Sequence, residues 1–179
     1  MEGSGPPLVL IHGMGLNRHM WQWMLDDLAA RFQVVRYDLL GHGDSGSPPE
    51  DCSLLDLVAQ LDGVLSGLGI SDSMLAGFSL GGTLALAYAL EHPATSSAVA
   101  VLNSTHRRDP TQRGAMLERL EISRRDGPAG TVDAAIERWF THSFREQNPH
   151  VTDQVRQWML ANDPGDYATL YRVLVEGDD

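Results

Sequence analysis

Short apolar runs alternate with helical patterns along the first hundred residues. Four of these runs have the length and continuous apolar character of buried strands: "PPLVLIHG" (6–13), "QVVRYDLLGHG" (33–43), "SDSMLA" (71–76) and "SAVAVLN" (97–103). Helical patterns follow the first three, with Trp21, Leu25 and Leu28 at helical spacing, then residues 53–69 behind the cap Ser53, then residues 80–93. Continuous apolar strands that alternate with helices indicate a parallel sheet covered on both faces. We therefore predict a doubly wound α/β core over residues 1–105.

One serine stands between glycines at the third strand's end, in "GFSLGG" (77–82). Ser79 falls at a strand-to-helix turn, where Gly77 and Gly81 allow the strand and the helix to approach closely. The first amides of the new helix have no intrahelical partner and favour an anion beside the serine hydroxyl. The pattern G-x-S-x-G is that of a nucleophile elbow, although a glycine-rich turn with a structural serine fits the same five residues.

Two further polar segments follow strands. "HGMG" (12–15) comes after the first strand and "DLLGHGDSG" (38–46) after the second. Ligands of parallel sheets bind at the carboxyl ends of the strands. We therefore expect both segments to lie near Ser79.

The pattern changes after residue 105. Residues 111–127, 128–144, 149–163 and 164–177 read as four helices separated by Pro and Gly, and they predict an all-helical lid over residues 106–179. Five large apolar side chains of this lid are candidates for a substrate pocket, although their spacing is equally that of helix packing: Met116, Trp139, Phe140, Trp158 and Met159.

The last segment, "RVLVEGDD" (172–179), has two interpretations. It reads as a strand, turn and Asp, or as the end of a helix capped by Asp163 and Pro164. The helical spacing of Tyr167, Leu170, Tyr171 and Leu174 favours the helix.

Composition excludes several classes of function. The formal net charge of −11 argues against a nucleic acid or an anionic membrane as partner. The single Cys52 excludes an internal disulfide and, without a CxxC pair, a thiolate zinc site. We expect no cofactor and no metal. Neither a membrane-spanning run nor a signal peptide is visible, so we expect a cytoplasmic protein.

"LVLIHGMG", "VVRYDLLGHGDSG" and "GFSLGG" followed by "HP" occur in the order and spacing of the α/β-hydrolase fold family. The chain resembles its carboxylesterase and enol-lactonase-like branch, which has a helical cap. The resemblance implies a serine hydrolase of small ester, lactone or related acyl substrates. Ser79 would attack the carbonyl, and the backbone amides of Met14 and Leu80 would hold the oxyanion. Around them the resemblance places His12, Gly13, Gly77, Phe78 and Gly81, while His42 and Asp44 order the loop after the second strand.

The family order of the catalytic groups is Ser, then an acid, then His. The acid and the His should follow strands beyond the lid, whereas this sequence stops at Asp179 within it. We therefore expect an incomplete hydrolase core. A substitute pair, His106 with Asp109, stays open, since His106 follows the fourth strand. So does a second function, in which the chain is a non-catalytic ligand-binding fragment or an inactive remnant.

The family's strand order leaves residues 97–103 at an edge of the sheet. An apolar open edge recruits another strand. We therefore expect a homodimer, or a complementing chain, at this edge.

Overall fold

The computed structural model describes residues 1–177, whose strands form one parallel sheet in the order β2-β1-β3-β4. The strands are Pro7–Ile11 (β1), Gln33–Arg36 (β2), Ser73–Phe78 (β3) and Ser96–Leu102 (β4). The predicted parallel sheet is confirmed, with β2 at one edge and β4 at the other.

Helices connect and cover these strands. They are Leu25–Ala29 (α1), Leu54–Gly67 (α2), Leu80–Glu91 (α3), Pro110–Asp126 (α4), Val132–Trp139 (α5), His142–Gln147 (α6), Pro149–Leu160 (α7) and Pro164–Glu176 (α8). α2 begins at the predicted cap, where the backbone amide and the hydroxyl of Ser53 both donate to the Asp56 carboxylate, at 2.8 and 2.6 Å.

The first helix was predicted as a single α-helix, and this prediction is wrong. Residues Arg18–Met24 form a 3-10 helix, and only the five residues of α1 that follow are α-helical. Asn17 starts the tighter turn, since its carbonyl accepts from Met20 N and its side chain accepts from His19 N. Arg18 N also donates to Asp38 Oδ1 at 2.7 Å, which ties the segment to the loop after β2.

The second predicted lid helix is two helices. Phe140 is extended, at φ −119° and ψ 132°, and this separates α5 from α6. Thr141 then caps α6, its hydroxyl accepting from Phe144 N at 3.2 Å. The last segment is helical to Glu176, as the spacing favoured, and Asp163 caps it by accepting from the amides of Gly165 and Asp166. Asp178 and Asp179 lie outside the described residues.

The sheet has an apolar layer on each face. Val9 and Ile11 of β1 pack into the larger core with α2 and α3, whereas Leu8 and Leu10 pack with Trp21 and the α1 region on the other face. Burial of one such side chain contributes about 2 kcal/mol. The larger core also contains lid residues, among them Tyr167 and Leu170 of α8. α8 is therefore held by the same apolar core as the sheet.

Within residues 1–177, none of the helices combines the length and the apolar character that crossing a membrane requires.

Candidate active site

Ser79 occupies a sharp turn between β3 and α3. Its backbone lies at φ 54° and ψ −117°, a conformation that costs a non-glycine residue about 1 to 3 kcal/mol. Neighbouring groups hold it there, since Ser79 N donates to Leu102 O at 2.9 Å and Ser104 Oγ donates to Ser79 O at 2.6 Å. The hydroxyl of Ser79 makes no hydrogen bond to any described residue and faces a cavity.

Gly77 and Gly81 lie where side chains have no room. A Cβ on Gly77 would overlap the carbonyl of Gly81, and a Cβ on Gly81 would overlap the carbonyls of Ile11 and His12. The start of α3 thus packs directly on the backbone of β3 and on the end of β1. This close contact brings Ser79 beside the loop that follows β1.

Met14 and Leu80 each have a backbone amide that donates to no described residue. Leu80 begins α3, so its amide has no intrahelical acceptor. Met14 lies in the loop after β1, lines the same cavity as Ser79 and is buried. Both amides are therefore without an acceptor among the described residues.

His12 connects the loops after β1 and β2. Its Nε2 accepts from Leu39 N at 2.9 Å, so its Nδ1 carries the proton and donates to Gly13 O, also at 2.9 Å. The side chain is fully buried, which lowers its pKa to about 3 with a further contribution from neighbouring His42. His12 is neutral, and both of its ring nitrogens are occupied. It positions the loop at Gly13 and has no free nitrogen to act as a base.

His42 makes a second connection of the same kind. Its Nε2 accepts from Gly15 N and its Nδ1 donates to Leu40 O, both at 2.9 Å. Burial lowers the pKa of His42, so it also stays neutral. The rings of His42 and His12 lie edge to face, 5.1 Å apart between centroids. Two neutral imidazoles thus fix the backbone on either side of Met14.

Asp38 was not singled out from the sequence. Its buried carboxylate accepts from Arg18 Nη1 at 2.5 Å, from Arg18 N at 2.7 Å and from Asp44 N at 3.1 Å. Asp44 itself is exposed and pairs with Arg18 Nη2 at 2.6 Å. The loop after β2 is therefore ordered around Asp38, with Asp44 on its outer side. The position of Asp38, directly after an apolar strand, was the available signal.

A cavity of about 400 Å³ lies between Ser79 and the lid. Of the five apolar lid candidates, Met116, Trp139 and Met159 line it. Phe140 and Trp158 instead pack at the edge of an apolar cluster among the lid helices. Met116 and Met159 are in addition buried in the apolar core clusters, so they serve both helix packing and the cavity wall.

The structure does not bring together His106 and Asp109. Asp109 is the N-cap of α4, and its Oδ1 accepts from Gln112 N at 2.8 Å. His106 is exposed, and no hydrogen bond or ion pair joins it to Asp109 in the described part of the chain. The cavity-lining residues among positions 1–177 include no histidine. The structure therefore does not support the substitute pair, since Asp109 caps a helix.

Three arginines that sequence reasoning missed also line the cavity: Arg108, Arg119 and Arg138. Arg119 follows Met116 by three residues on α4, so both lie on one helix face. That spacing was the signal that could have found it.

Residues 6–140 match a family model described as alpha/beta hydrolase fold. The chain belongs to this family. The match spans the sheet, the Ser79 turn and the first half of the lid.

Relatives of this alpha/beta hydrolase chain are hydrolases. It is 28% identical over 177 residues to the (E)-2-((N-methylformamido)methylene)succinate hydrolase of Acinetobacter baylyi, covering 99% of this chain and 66% of that protein. It is 27% identical over 177 residues to 3-oxoadipate enol-lactonase 2 of the same organism, with the same coverage of 99% and 66%. The chain thus spans just under two thirds of the length of these relatives.

A solved structure shows the same architecture. The crystal structure of the enol-lactonase from Burkholderia xenovorans LB400 superimposes with a TM-score of 0.90 at 28% identity, covering 98% of this chain and 67% of that chain. The sheet order and the lid therefore agree with an enzyme of known fold.

Proposed function

We propose that the complete protein is a serine hydrolase of small ester, lactone or related acyl substrates, with Ser79 as its nucleophile. The observation that carries the proposal is the position of Ser79, held in a strained turn with its unbonded hydroxyl facing a cavity. The unpaired amides of Met14 and Leu80 support it. So do the hydrolase activities named for the relatives.

In this mechanism Ser79 Oγ forms a bond to the carbonyl carbon and releases its proton to a base. The carbonyl electron pair moves onto oxygen, where the amides of Met14 and Leu80 stabilise the negative charge. Each such donor is worth about 3 to 4 kcal/mol in the transition state. The tetrahedral intermediate then expels the leaving oxygen, which takes up the proton, and leaves an acyl-serine. Water attacks the acyl-serine in the same way and frees both the acid and Ser79.

The base and its partner acid are proposed to come from outside this chain. His12 and His42 are buried and fully hydrogen-bonded, and the described cavity wall contains no histidine. The relatives are longer than this chain, so a longer polypeptide or a complementing chain has room to supply both groups.

The absence of a histidine from the described cavity wall also favours a second candidate function. A cavity that lacks a base still binds an apolar or acyl ligand without cleaving it. Residues 1–179 alone would then act as a ligand-binding chain.

A fluorophosphonate probe tests the proposal directly, because it labels a serine that is nucleophilic beside an oxyanion site. We expect residues 1–179 to react slowly with it and to hydrolyse p-nitrophenyl acetate at trace rate, since loss of the base costs about a millionfold in a well-studied serine protease. Ser79→Ala should abolish the labelling, whereas the exposed Ser66→Ala on α2 should leave it unchanged.

Labelling that persists in Ser79→Ala would refute Ser79 as the nucleophile. A polypeptide that continues into the downstream strands should gain orders of magnitude in rate, and that gain should depend on Ser79. No gain would favour the ligand-binding function. Fast Ser79-dependent turnover by residues 1–179 would place the base within this chain.

A further inference from the structure

Positive charge collects at the cavity although the chain is acidic. The sequence has 24 Asp and Glu residues and 13 Lys and Arg residues. Even so, the described residues that line the cavity include arginines and neither Asp nor Glu. Two of these arginines, Arg119 of α4 and Arg138 of α5, come from different lid helices.

Neither of these arginines has a carboxylate partner among the described residues. Arg119 Nη1 lies 3.2 Å from Met116 Sδ, which is a weak acceptor. Arg138 Nη1 lies at the limit of hydrogen-bonding distance from Ala134 O, at 3.5 Å, and its guanidinium lies 6.0 Å from the ring centre of Trp139.

Three other lid arginines, which lie away from the cavity, are paired with carboxylates. Arg124 contacts Glu121 at 2.6 Å, Arg125 contacts Asp126 at 2.7 Å, and Arg156 contacts Asp133. Arg119 and Arg138 thus differ from these three lid arginines, each of which already has a carboxylate partner.

Arg119 and Arg138 also repel one another. Partial burial lowers the pKa of Arg138, and the positive charge of Arg119 lowers it further. An anion between the two guanidinium groups would relieve this repulsion, and planar guanidinium groups match the geometry of a carboxylate.

We infer that Arg119 and Arg138 form a carboxylate-binding subsite, so that the substrate is an acyl compound with a second, negatively charged carboxylate remote from the reacting carbonyl. Met116, Ile122 and Trp139 line the same cavity and accommodate an apolar linker between the two groups. The inference rests on the proposed function for the acyl part of the substrate, but the binding of the carboxylate does not depend on Ser79 chemistry.

The test compares two probes of nearly equal shape, 4-phenylbutyrate and the neutral 4-phenylbutyramide, by isothermal titration calorimetry on residues 1–179. We expect the carboxylate to bind at least about tenfold more tightly, because hydrogen bonds to charged groups are stronger than neutral ones. Arg119→Gln and Arg138→Gln should each reduce this preference, and the double variant should remove it while leaving amide binding within about twofold. Arg124→Gln, on α4 but in an ion pair, is the matched control and should keep the preference.

Amide binding shows that each variant is folded. Equal affinity for the two probes, absence of carboxylate binding at millimolar concentration, or a preference that survives in the double variant would overturn the inference. Ser79→Ala should keep the preference. Loss of fluorophosphonate labelling with an intact carboxylate preference would therefore refute the hydrolase proposal alone.

Discussion

At the scale of single residues, two glycines of this chain have opposite requirements. A Cβ added at Gly77 would overlap the carbonyl of Gly81. Gly63 lies on the exposed side of α2, where an added Cβ would have no neighbour within 4 Å. Gly77→Ala should lower the free energy of unfolding by several kcal/mol, roughly 2 to 4, because backbone must move. Gly63→Ala should raise it by about 0.5 to 1 kcal/mol through helix propensity.

Urea denaturation followed by circular dichroism measures both changes. The Gly77 variant should also lose fluorophosphonate labelling, because the Ser79 turn moves with α3. Equal stability of the two variants would contradict the close approach of α3 to β3.

His12 gives the stability of the fold a pH dependence. The unfolded chain binds a proton at this residue near pH 6.5, whereas the folded chain does so only near pH 3. The stability that depends on a neutral His12 is therefore fully present above pH 6.5 and is lost as the pH falls toward 3. Between pH 8 and pH 5, protonation linked to His12 alone should lower the free energy of unfolding by about 2 kcal/mol. The lowered pKa of His42 acts in the same direction.

Urea titrations at pH 8 and pH 5 measure this loss. His12→Gln should be less stable at pH 8 but should show a smaller loss between the two pH values. His106→Gln, at an exposed position, is the control and should keep the full loss. An unchanged pH dependence in His12→Gln would contradict the neutral, buried imidazole.

At the scale of elements, β4 has one unpaired edge. It pairs with β3 on one side and with no strand of residues 1–177 on the other, and Val101 and Leu102 remain 39% and 42% exposed. An unpaired apolar edge promotes strand addition. We expect residues 1–179 to form a dimer, or larger aggregates, through residues 97–103.

Light scattering over a concentration series tests this expectation. Ala98→Lys, at an exposed position of β4, should shift the chain toward the monomer. Leu55→Lys, at an exposed position of α2, should not. A monomer at high concentration in the unmodified chain would contradict the expectation.

Elements with strong local signals could be predicted from the sequence. The apolar strands, the helix cap at Ser53 and the Asp163 cap of α8 could be predicted because each depends on near neighbours. The 3-10 helix at Arg18–Met24 was not predicted, because besides the local bonds of Asn17 it has a contact of Arg18 with Asp38, twenty residues away. The break at Phe140 was missed because Thr141 was not considered as a cap.

At the scale of the whole molecule, only part of the candidate site could be predicted from the sequence. Ser79 and its glycines carry a pattern of five consecutive residues, so the turn was predictable. Arg119 and Arg138 come from two lid helices, and their position on one cavity wall depends on how those helices pack. Periodicity could place Met116 on a helix face, but it could not show that Arg138 would line the same cavity as Arg119.

A polar contact joins the lid to the loop after β1. Asn162, between α7 and α8, donates through Nδ2 to Gly15 O at 3.1 Å, in the loop that carries Met14. A chimera that received α7 and α8 from a relative would therefore disturb this loop along with the pocket. A specificity graft should exchange residues 110–147, which include Arg119 and Arg138, and should retain residues 149–176 as part of the recipient scaffold.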